Sequence, residues 1–206
     1  EDSFTPSDFE LTPYIKEGEN KLAVQVYKWT SSSWCEDQDF FRFSGIYRDV
    51  FLYTVPKVHI KDMRLQTLFG DSLEQAELRV NLKTTAKGSV KLTLLDEEKA
   101  IIEHQETLDI ESQYLLKVEA PKLWSAEDPK LYTLLLEVRD ERGELQEVVK
   151  EEVGFRKFEI RDSLMLLNGR RIVFKGVNRH DFSSKTGRAI SFEEMEQDII
   201  TMKQNN

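Results

Sequence analysis

Three carboxylates lie within four positions of an acidic segment in the first quarter of the chain. Glu36, Asp37 and Asp39 are followed at once by Phe40 and Phe41. Carbohydrate sites combine carboxylate acceptors for hydroxyl groups with apolar walls for the sugar ring, and a cation held by several oxygens can share such a site. Composition alone favours the alternative of a solvated acidic loop. The segment therefore indicates either a surface loop or a sugar-binding loop.

A second polar cluster follows an apolar run that ends at Val177. It consists of Asn178, Arg179, His180 and Asp181. The carboxyl end of a strand is where a β/α barrel presents its site residues. A lone histidine is more often structural than catalytic, but here donors and acceptors suited to a polyhydroxylated ligand occur together. The structural and functional interpretations are evenly balanced on the residues alone.

Length and charge restrict the class of protein in which these clusters occur. The chain has 206 residues, 39% hydrophobic and 33% charged, with a formal net charge of −9. The length allows one large domain, or a central domain flanked by parts of others. The negative charge disfavours a nucleic-acid partner, and no apolar run approaches the roughly 20 residues of a membrane helix. A neutral sugar is unaffected by the charge.

Cysteine and histidine usage argues against a disulfide framework and against zinc. Cys35 is the single cysteine and has no partner for an internal disulfide, which favours a reducing compartment and hence the cytoplasm. Cys35, His59, His104 and His180 match no compact zinc spacing. We therefore expect no zinc site.

The elements that must position the two clusters are mainly β. Alternating apolar residues predict strands over 21–29 and 46–53, and Pro56, which lacks an amide hydrogen, marks the first boundary. Trp124 lies in a loop between two later strands, and a structural role is favoured for it over contact with a ligand. Seven further strands predict a two-sheet sandwich: 58–65, 76–84, 90–95, 101–110, 114–118, 131–138 and 145–155.

After Phe158 the pattern changes to a hairpin and then a helix. Segments 164–167 and 172–177 flank Asn168 and Gly169, a pair that suits a two-residue type I′ turn. Ser191 and Glu194 have the spacing of a capping box, and one helical face carries Phe192, Met195, Ile199 and Met202. A strand followed by a helix at this point is typical of the first unit of a β/α domain.

Five ordered motifs resemble successive stretches of family 2 glycoside hydrolases. They are FELTPYIKEGENKLAVQV (9–26), EDQDFFRFSGIYRDV (36–50), LWSAEDPKLYTL (123–134), VGFRKFEI (153–160) and LLNGRRIVFKGVNRHD (166–181). Within the family, SGIYRDV, GVNRHD and the closing MKQNN resemble the β-galactosidase branch. The resemblance covers nearly the whole chain and is weakest over 61–119.

The resemblance implies a mainly β fold in three parts. Residues 1–55 correspond to the C-terminal part of a jelly-roll sugar-binding domain, and residues 56–155 to a complete immunoglobulin-like β-sandwich. Residues 156–206 correspond to the start of a (β/α)8 catalytic barrel, namely its first strand-helix unit.

The resemblance also assigns roles to individual residues. Asp39 matches an aspartate that contacts galactose and a bound monovalent cation, and His180 matches a histidine that contacts sugar hydroxyls in the transition state. Asn178 and Arg179 belong to the same substrate-binding motif. The chain departs from the commonest β-galactosidase pattern at Asp181 and Phe182, where glutamate and histidine are frequent, and this bears on substrate preference.

The family implies retaining hydrolysis of a β-galactoside such as lactose by two carboxylates. Both glutamates, the nucleophile and the acid/base, are expected beyond Asn206, so the chain alone is expected to be inactive. The parent enzyme is expected to use magnesium and a monovalent cation and to form a homo-oligomer, with no magnesium site in these residues. The alternative is a noncatalytic β-sandwich module that binds carbohydrate or protein.

Overall fold

The chain forms two compact units, which we describe separately. The computed structural model describes residues 5–35 and 45–206. One unit is Tyr53–Gly176, and the other combines Glu1–Leu52 with Val177–Asn206. The first unit contains every strand found in the described residues, and the second contains the helices.

Seven strands of the first unit form a sandwich of two antiparallel sheets. One sheet has the order β1-β2-β5 and the other β4-β3-β6-β7. This distribution is that of an immunoglobulin-like sandwich. The strands are β1 (Ile60–Phe69), β2 (Gln75–Thr84), β3 (Gly88–Asp96), β4 (Lys99–Leu108), β5 (Glu111–Glu119), β6 (Tyr132–Arg139) and β7 (Leu145–Val153).

The period-2 pattern of the sequence explains why these segments pair face to face. In β2, Leu78, Val80 and Leu82 are at most 1% exposed, whereas the residues between them are only partly buried. Successive side chains of a strand point to opposite faces, so each strand contributes one apolar face to the core. Among the described residues, every buried apolar side chain except Leu166 lies between Val58 and Phe155. This confirms that the sandwich holds most of the buried apolar surface.

All seven predicted sandwich strands are confirmed, with small differences at their ends. The largest difference is in β1, which was predicted over 58–65 and is observed at Ile60–Phe69. The strand starts two residues later than predicted because the backbone amide of His59 donates to the side-chain hydroxyl of Thr85, at 3.0 Å. The strand then continues to the turn before β2, because its pairing with β2 extends from Ile60 to Phe69.

A third, smaller antiparallel sheet follows the sandwich, with the order β10-β9-β8. Its strands are β8 (Phe158–Arg161), β9 (Leu164–Leu167) and β10 (Arg170–Arg171). The predicted turn is confirmed, because Asn168 and Gly169 have φ of 51° and 75°, the left-handed values of a type I′ turn. The prediction of a strand over 172–177 is wrong: pairing with β9 stops at Arg171. Val173 and Phe174 are 64% and 70% exposed, and the Phe174 ring lies 6.3 Å from the ring of Phe158.

The small sheet is joined to the sandwich through Asn168. The backbone amide of Asn168 donates to the backbone carbonyl of Lys157 at 2.8 Å. The side-chain oxygen of Asn168 accepts from the backbone amide of Lys157 at 2.9 Å. Its side-chain nitrogen donates to the carbonyl of Trp124 at 3.0 Å. The Trp124 ring lies 4.6 Å from the guanidinium of Arg156 and packs against Gly154. Trp124 therefore has the structural role that the sequence favoured.

The described part of the second unit has little regular structure before residue 177. It contains a 3-10 helix at Thr12–Tyr14 and a short helix α1 (Ser32–Cys35), and after residue 177 it contains α2 (Phe192–Gln204). The strands predicted over 21–29 and 46–53 are wrong, because neither segment pairs with another part of residues 5–35 and 45–206. Their apolar side chains remain exposed, as Leu22, Val24 and Val26 are between 51% and 55% exposed. No described helix is long and apolar enough to cross a membrane.

We expect Gly88→Ala to destabilise the chain because β3 begins in close contact with the end of β6. A Cβ at Gly88 would lie 2.0 Å from the backbone oxygen of Arg139, which cannot move without disturbing the β3–β6 pairing. Overpacking of this kind costs about 1–3 kcal/mol in the free energy of unfolding. Gly70→Ala is the matched control, since nothing lies within 4 Å of its added Cβ. Urea unfolding followed by circular dichroism measures both variants, and equal midpoints would contradict the expected clash.

Candidate functional site

Helix α2 begins with the predicted capping box. The amide of Glu194 donates to the Ser191 hydroxyl at 3.2 Å, and the amide of Ser191 donates to Oε2 of Glu194 at 3.0 Å. These bonds satisfy two amides that a helix N-terminus otherwise leaves without partners. The helix ends at Gln204, where the side chain of Asn205 donates to the carbonyl of Thr201 at 2.8 Å. Both ends of α2 are therefore fixed by local bonds.

Arg179 connects the polar cluster at residues 178–181 to the middle of α2. Its Nε and Nη2 donate to Oδ2 of Asp198 at 3.0 Å and 2.7 Å, and its Nη1 donates to Asp181. The Arg179 side chain is 23% exposed, the Asp181 side chain 44% and the Asp198 side chain 52%. The hydrogen bonds to Asp198 and then to Asp181 raise the pKa of the Arg179 guanidinium above its ordinary value. Its positive charge is thus matched by two carboxylates.

A second link joins the same loop to the first turn of α2. The hydroxyl of Ser183 donates to Oε1 of Glu194 at 3.2 Å. Ser183 and Gly187 also exchange two backbone hydrogen bonds, of 2.7 Å and 2.9 Å, which close a short loop. Gly187 has φ of 66°, in the left-handed region that glycine adopts without a Cβ penalty. The loop after residue 178 is therefore held at both Arg179 and Ser183.

Asn178 and His180 are exposed, on either side of the partly buried Arg179. An amide and an imidazole can each donate and accept hydrogen bonds, which suits the hydroxyl groups of a sugar. The structure thus brings Asn178, Arg179 and His180 into one segment with different exposures. Arg179 makes its described contacts to carboxylates of the protein, and its contact with a sugar stays a prediction.

The fourth predicted site residue, Asp39, lies outside the described residues. So do Glu36, Asp37, Phe40 and Phe41, and the sugar-binding and cation-binding roles of this segment stay predictions. Within residues 5–35 and 45–206, no group of three or more His, Cys, Asp or Glu side chains could hold a metal ion.

The histidines of the sandwich have local partners. Nδ1 of His59 lies 2.7 Å from the carbonyl oxygen of Pro56, and Nε2 of His104 lies 3.2 Å from the carboxylate of Glu106. Cys35 is exposed in α1. These contacts give His59 and His104 structural roles in the sandwich.

Sequence reasoning missed Asp198 because its partner lies 19 positions earlier in the chain. The usable signal was the spacing of Glu194 and Asp198, which places two carboxylates one turn apart on the same face of α2. The apolar face predicted for that helix carried no information about this contact. Its members Phe192 and Ile199 are 71% and 54% exposed.

Three family descriptions match consecutive parts of the chain. Residues 1–56 match the family described as the sugar binding domain of glycosyl hydrolases family 2. Residues 58–156 match the family described as glycosyl hydrolases family 2, and residues 158–206 match its TIM barrel domain. Together these matches cover almost the whole chain in one order.

Curated relatives align with the entire chain. A β-galactosidase of Halalkalibacterium halodurans is 49% identical over 100% of this chain and 21% of its own length. A β-galactosidase of Streptococcus thermophilus is 48% identical, with 20% of its length covered. A β-galactosidase large subunit of Lactobacillus acidophilus is 45% identical, with 34% of its length covered. The chain thus spans between a fifth and about a third of the length of these relatives.

Solved structures share the fold. A β-glucuronidase of Bacteroides uniformis superposes with a TM-score of 0.71 at 27% identity, covering 81% of this chain and 21% of that one. A β-glucuronidase of Parabacteroides merdae superposes with a TM-score of 0.70 at 25% identity, covering 81% and 22%.

Proposed function

The chain belongs to family 2 of the glycoside hydrolases, and from this premise we propose that it is part of a retaining β-galactosidase. The parent enzyme would release terminal β-D-galactose from β-galactosides such as lactose. The observation that carries the proposal is the alignment of the whole chain with named β-galactosidases at up to 49% identity. The polar cluster at residues 178–181, with exposed Asn178 and His180, supplies groups that suit a sugar.

A second candidate is hydrolysis of β-glucuronides, which the structural matches favour. A glucuronide carries a carboxylate and needs a cation that is available to it. Arg179 is already bonded to Asp198 and Asp181, so its charge is compensated within the protein. This pairing supports a neutral sugar as the ligand of the segment.

In this proposal the residues of the chain bind and orient the sugar. Asp39, Asn178 and His180 would bond to hydroxyl groups of galactose, with the His180 contact strongest in the transition state. Arg179 would hold the segment in place as well as belonging to the substrate-binding motif. The nucleophile and the acid/base carboxylates would come from the barrel beyond Asn206.

We also propose the remaining properties that the family resemblance implies. Residues 1–55 would belong to a jelly-roll domain. The parent would be a cytoplasmic homo-oligomer, and it would use magnesium and a monovalent cation. Asp39 is the residue of this chain that would contribute a carboxylate to the monovalent cation, and magnesium would be bound by later residues.

The alternative of a noncatalytic sandwich module leaves part of the chain unexplained. Such a module accounts for β1 to β7, but it has no use for a capped α2 fixed to Arg179 and Ser183. Residues 158–206 match a TIM barrel domain, which is the part of a family 2 protein expected to be catalytic. These features support the enzyme over the module.

The proposal is tested on the longer gene product. We expect purified enzyme to hydrolyse p-nitrophenyl β-galactoside with a kcat/KM at least about 100-fold above that for the β-glucuronide, because specific polar contacts separate the two sugars. Proton NMR of the first-formed galactose should show the β anomer, as retention requires. Preference for the glucuronide would support the second candidate, and no cleavage of either sugar would contradict both.

A further inference from the structure

Among the described contacts, the same face of α2 bonds to the loop of residues 178–187 at two points. Glu194 and Asp198 are four residues apart, which places their side chains one above the other on the helix. Glu194 bonds to Ser183 and Asp198 bonds to Arg179. The two contacts differ in strength, because the Asp198 contact joins opposite charges through two N–H groups whereas Ser183 is neutral. Of these two described contacts, the one to Asp198 is therefore the stronger, and we call Asp198 the anchor of the loop.

The exposure pattern shows what this anchor does to the neighbours of Arg179. Asn178 and His180 are exposed while Arg179 is partly buried. When one side chain of an irregular segment is fixed towards a helix, the backbone on either side of it is fixed too. The second carboxylate, Asp181, lies only two residues from Arg179 in the chain, so that contact is local and cannot attach the segment to α2. Only the Asp198 contact does so among the bonds described for Arg179.

We propose that Asp198 is a positioning residue of the parent enzyme, which holds Arg179 so that Asn178 and His180 are presented to the sugar. This inference rests on the proposed function, because it assigns Asn178 and His180 to the substrate. In this role Asp198 acts on the sugar through Arg179, to which it is bonded. Its effect on stability is small, since ion pairs with about half of one partner exposed contribute little to unfolding free energy. Its effect on turnover is larger, because small displacements of a binding group cost much more in rate.

The test compares Asp198→Asn with Glu196→Gln in the longer enzyme. Asn keeps the size of Asp198 and removes its charge, and Glu196 lies on the same helix without a described contact to the loop. We expect Asp198→Asn to lower kcat/KM for a β-galactoside between about tenfold and 100-fold, mainly through kcat. Glu196→Gln should leave kcat, KM and Tm unchanged. The inhibition constant of a galactonolactone, which resembles the transition state, should rise with the loss in kcat/KM.

A double-mutant cycle separates positioning from a general structural effect. In a background of Asn178→Ala with His180→Ala, Asp198→Asn should cost less than about threefold, because the groups that it positions are absent. An undiminished loss in that background would overturn the inference. So would a loss that only follows the amount of folded protein measured by Tm.

Hydrogen exchange gives a readout that needs no activity. Amides of residues 178–187 should exchange faster in Asp198→Asn than in the wild type, and at the wild-type rate in Glu196→Gln. Unchanged exchange in Asp198→Asn would overturn the anchoring role even if turnover falls. If the wild-type enzyme cleaves no galactoside but the exchange result is as expected, the proposed function fails and the anchor stands.

Discussion

Replacing His180 with alanine in the longer enzyme should lower kcat/KM for a β-galactoside about 100- to 1000-fold, with Tm nearly unchanged. A hydrogen bond that forms preferentially in the transition state contributes this much to the rate when its donor is removed. His180 is exposed, so its loss creates no cavity in a packed core. Steady-state kinetics with a chromogenic galactoside, together with thermal unfolding, measure the two effects separately.

His104→Ala is the matched control for His180→Ala. It also removes a histidine, but from β4 of the sandwich, where the ring contacts Glu106. Its kinetics should equal those of the wild type. Asp39→Ala is the second site variant and should also lower turnover, as expected of a sugar and cation ligand. Wild-type kinetics in both His180→Ala and Asp39→Ala would contradict the site assignment.

The sandwich was predictable because its alternating pattern is also its packing pattern. In β6, Tyr132, Leu134, Leu136 and Val138 are at most 4% exposed, so the period of 2 in the sequence coincides with the buried face. The same alternation of apolar and polar residues led to a wrong strand prediction at residues 21–29. A strand also needs a neighbouring backbone to bond with, and a pattern in one segment carries no information about whether the partner is present.

The small sheet and the loop contacts were harder to predict, for different reasons. β8 has only four residues, and its turn to β9 uses Asp162 and Ser163, whose φ of 52° and 63° lie in the left-handed region that few residues other than glycine adopt. No glycine marked that turn in the sequence. The Arg179–Asp198 contact depends on how a loop folds back onto a helix, which periodicity does not encode.

The chain by itself should not hydrolyse a β-galactoside above a buffer blank. Relative to the longer enzyme, this is a loss of at least about 10⁶-fold, the lower end of what enzymes add to uncatalysed rates. Retaining hydrolysis needs two carboxyl groups about 5 to 5.5 Å apart across the scissile bond, one of them a general acid with a raised pKa. The family resemblance implies that both carboxyl groups lie beyond Asn206.

Three carboxylates of α2, those of Glu193, Glu194 and Asp198, do not suit these two roles. Glu194 accepts from the Ser191 amide and the Ser183 hydroxyl, and Asp198 accepts twice from Arg179. The pKa of Glu193 is lowered, first by a hydrogen bond from its own backbone amide and then by Ser191. A lowered pKa is the wrong direction for a group that must protonate a leaving oxygen near neutral pH.

The assay uses the purified chain, free of host β-galactosidase, with a chromogenic β-galactoside beside a buffer blank. The control is the chain carrying Asp39→Ala, which should give the same blank rate if neither form is catalytic. Circular dichroism of the same samples should show the strands of the sandwich, so that an inactive result comes from folded protein. Saturable turnover that scales with the concentration of the chain, and that Asp39→Ala abolishes, would mean that catalytic carboxylates lie within these 206 residues. The proposal that this chain binds the sugar and that later residues catalyse its hydrolysis would then be wrong.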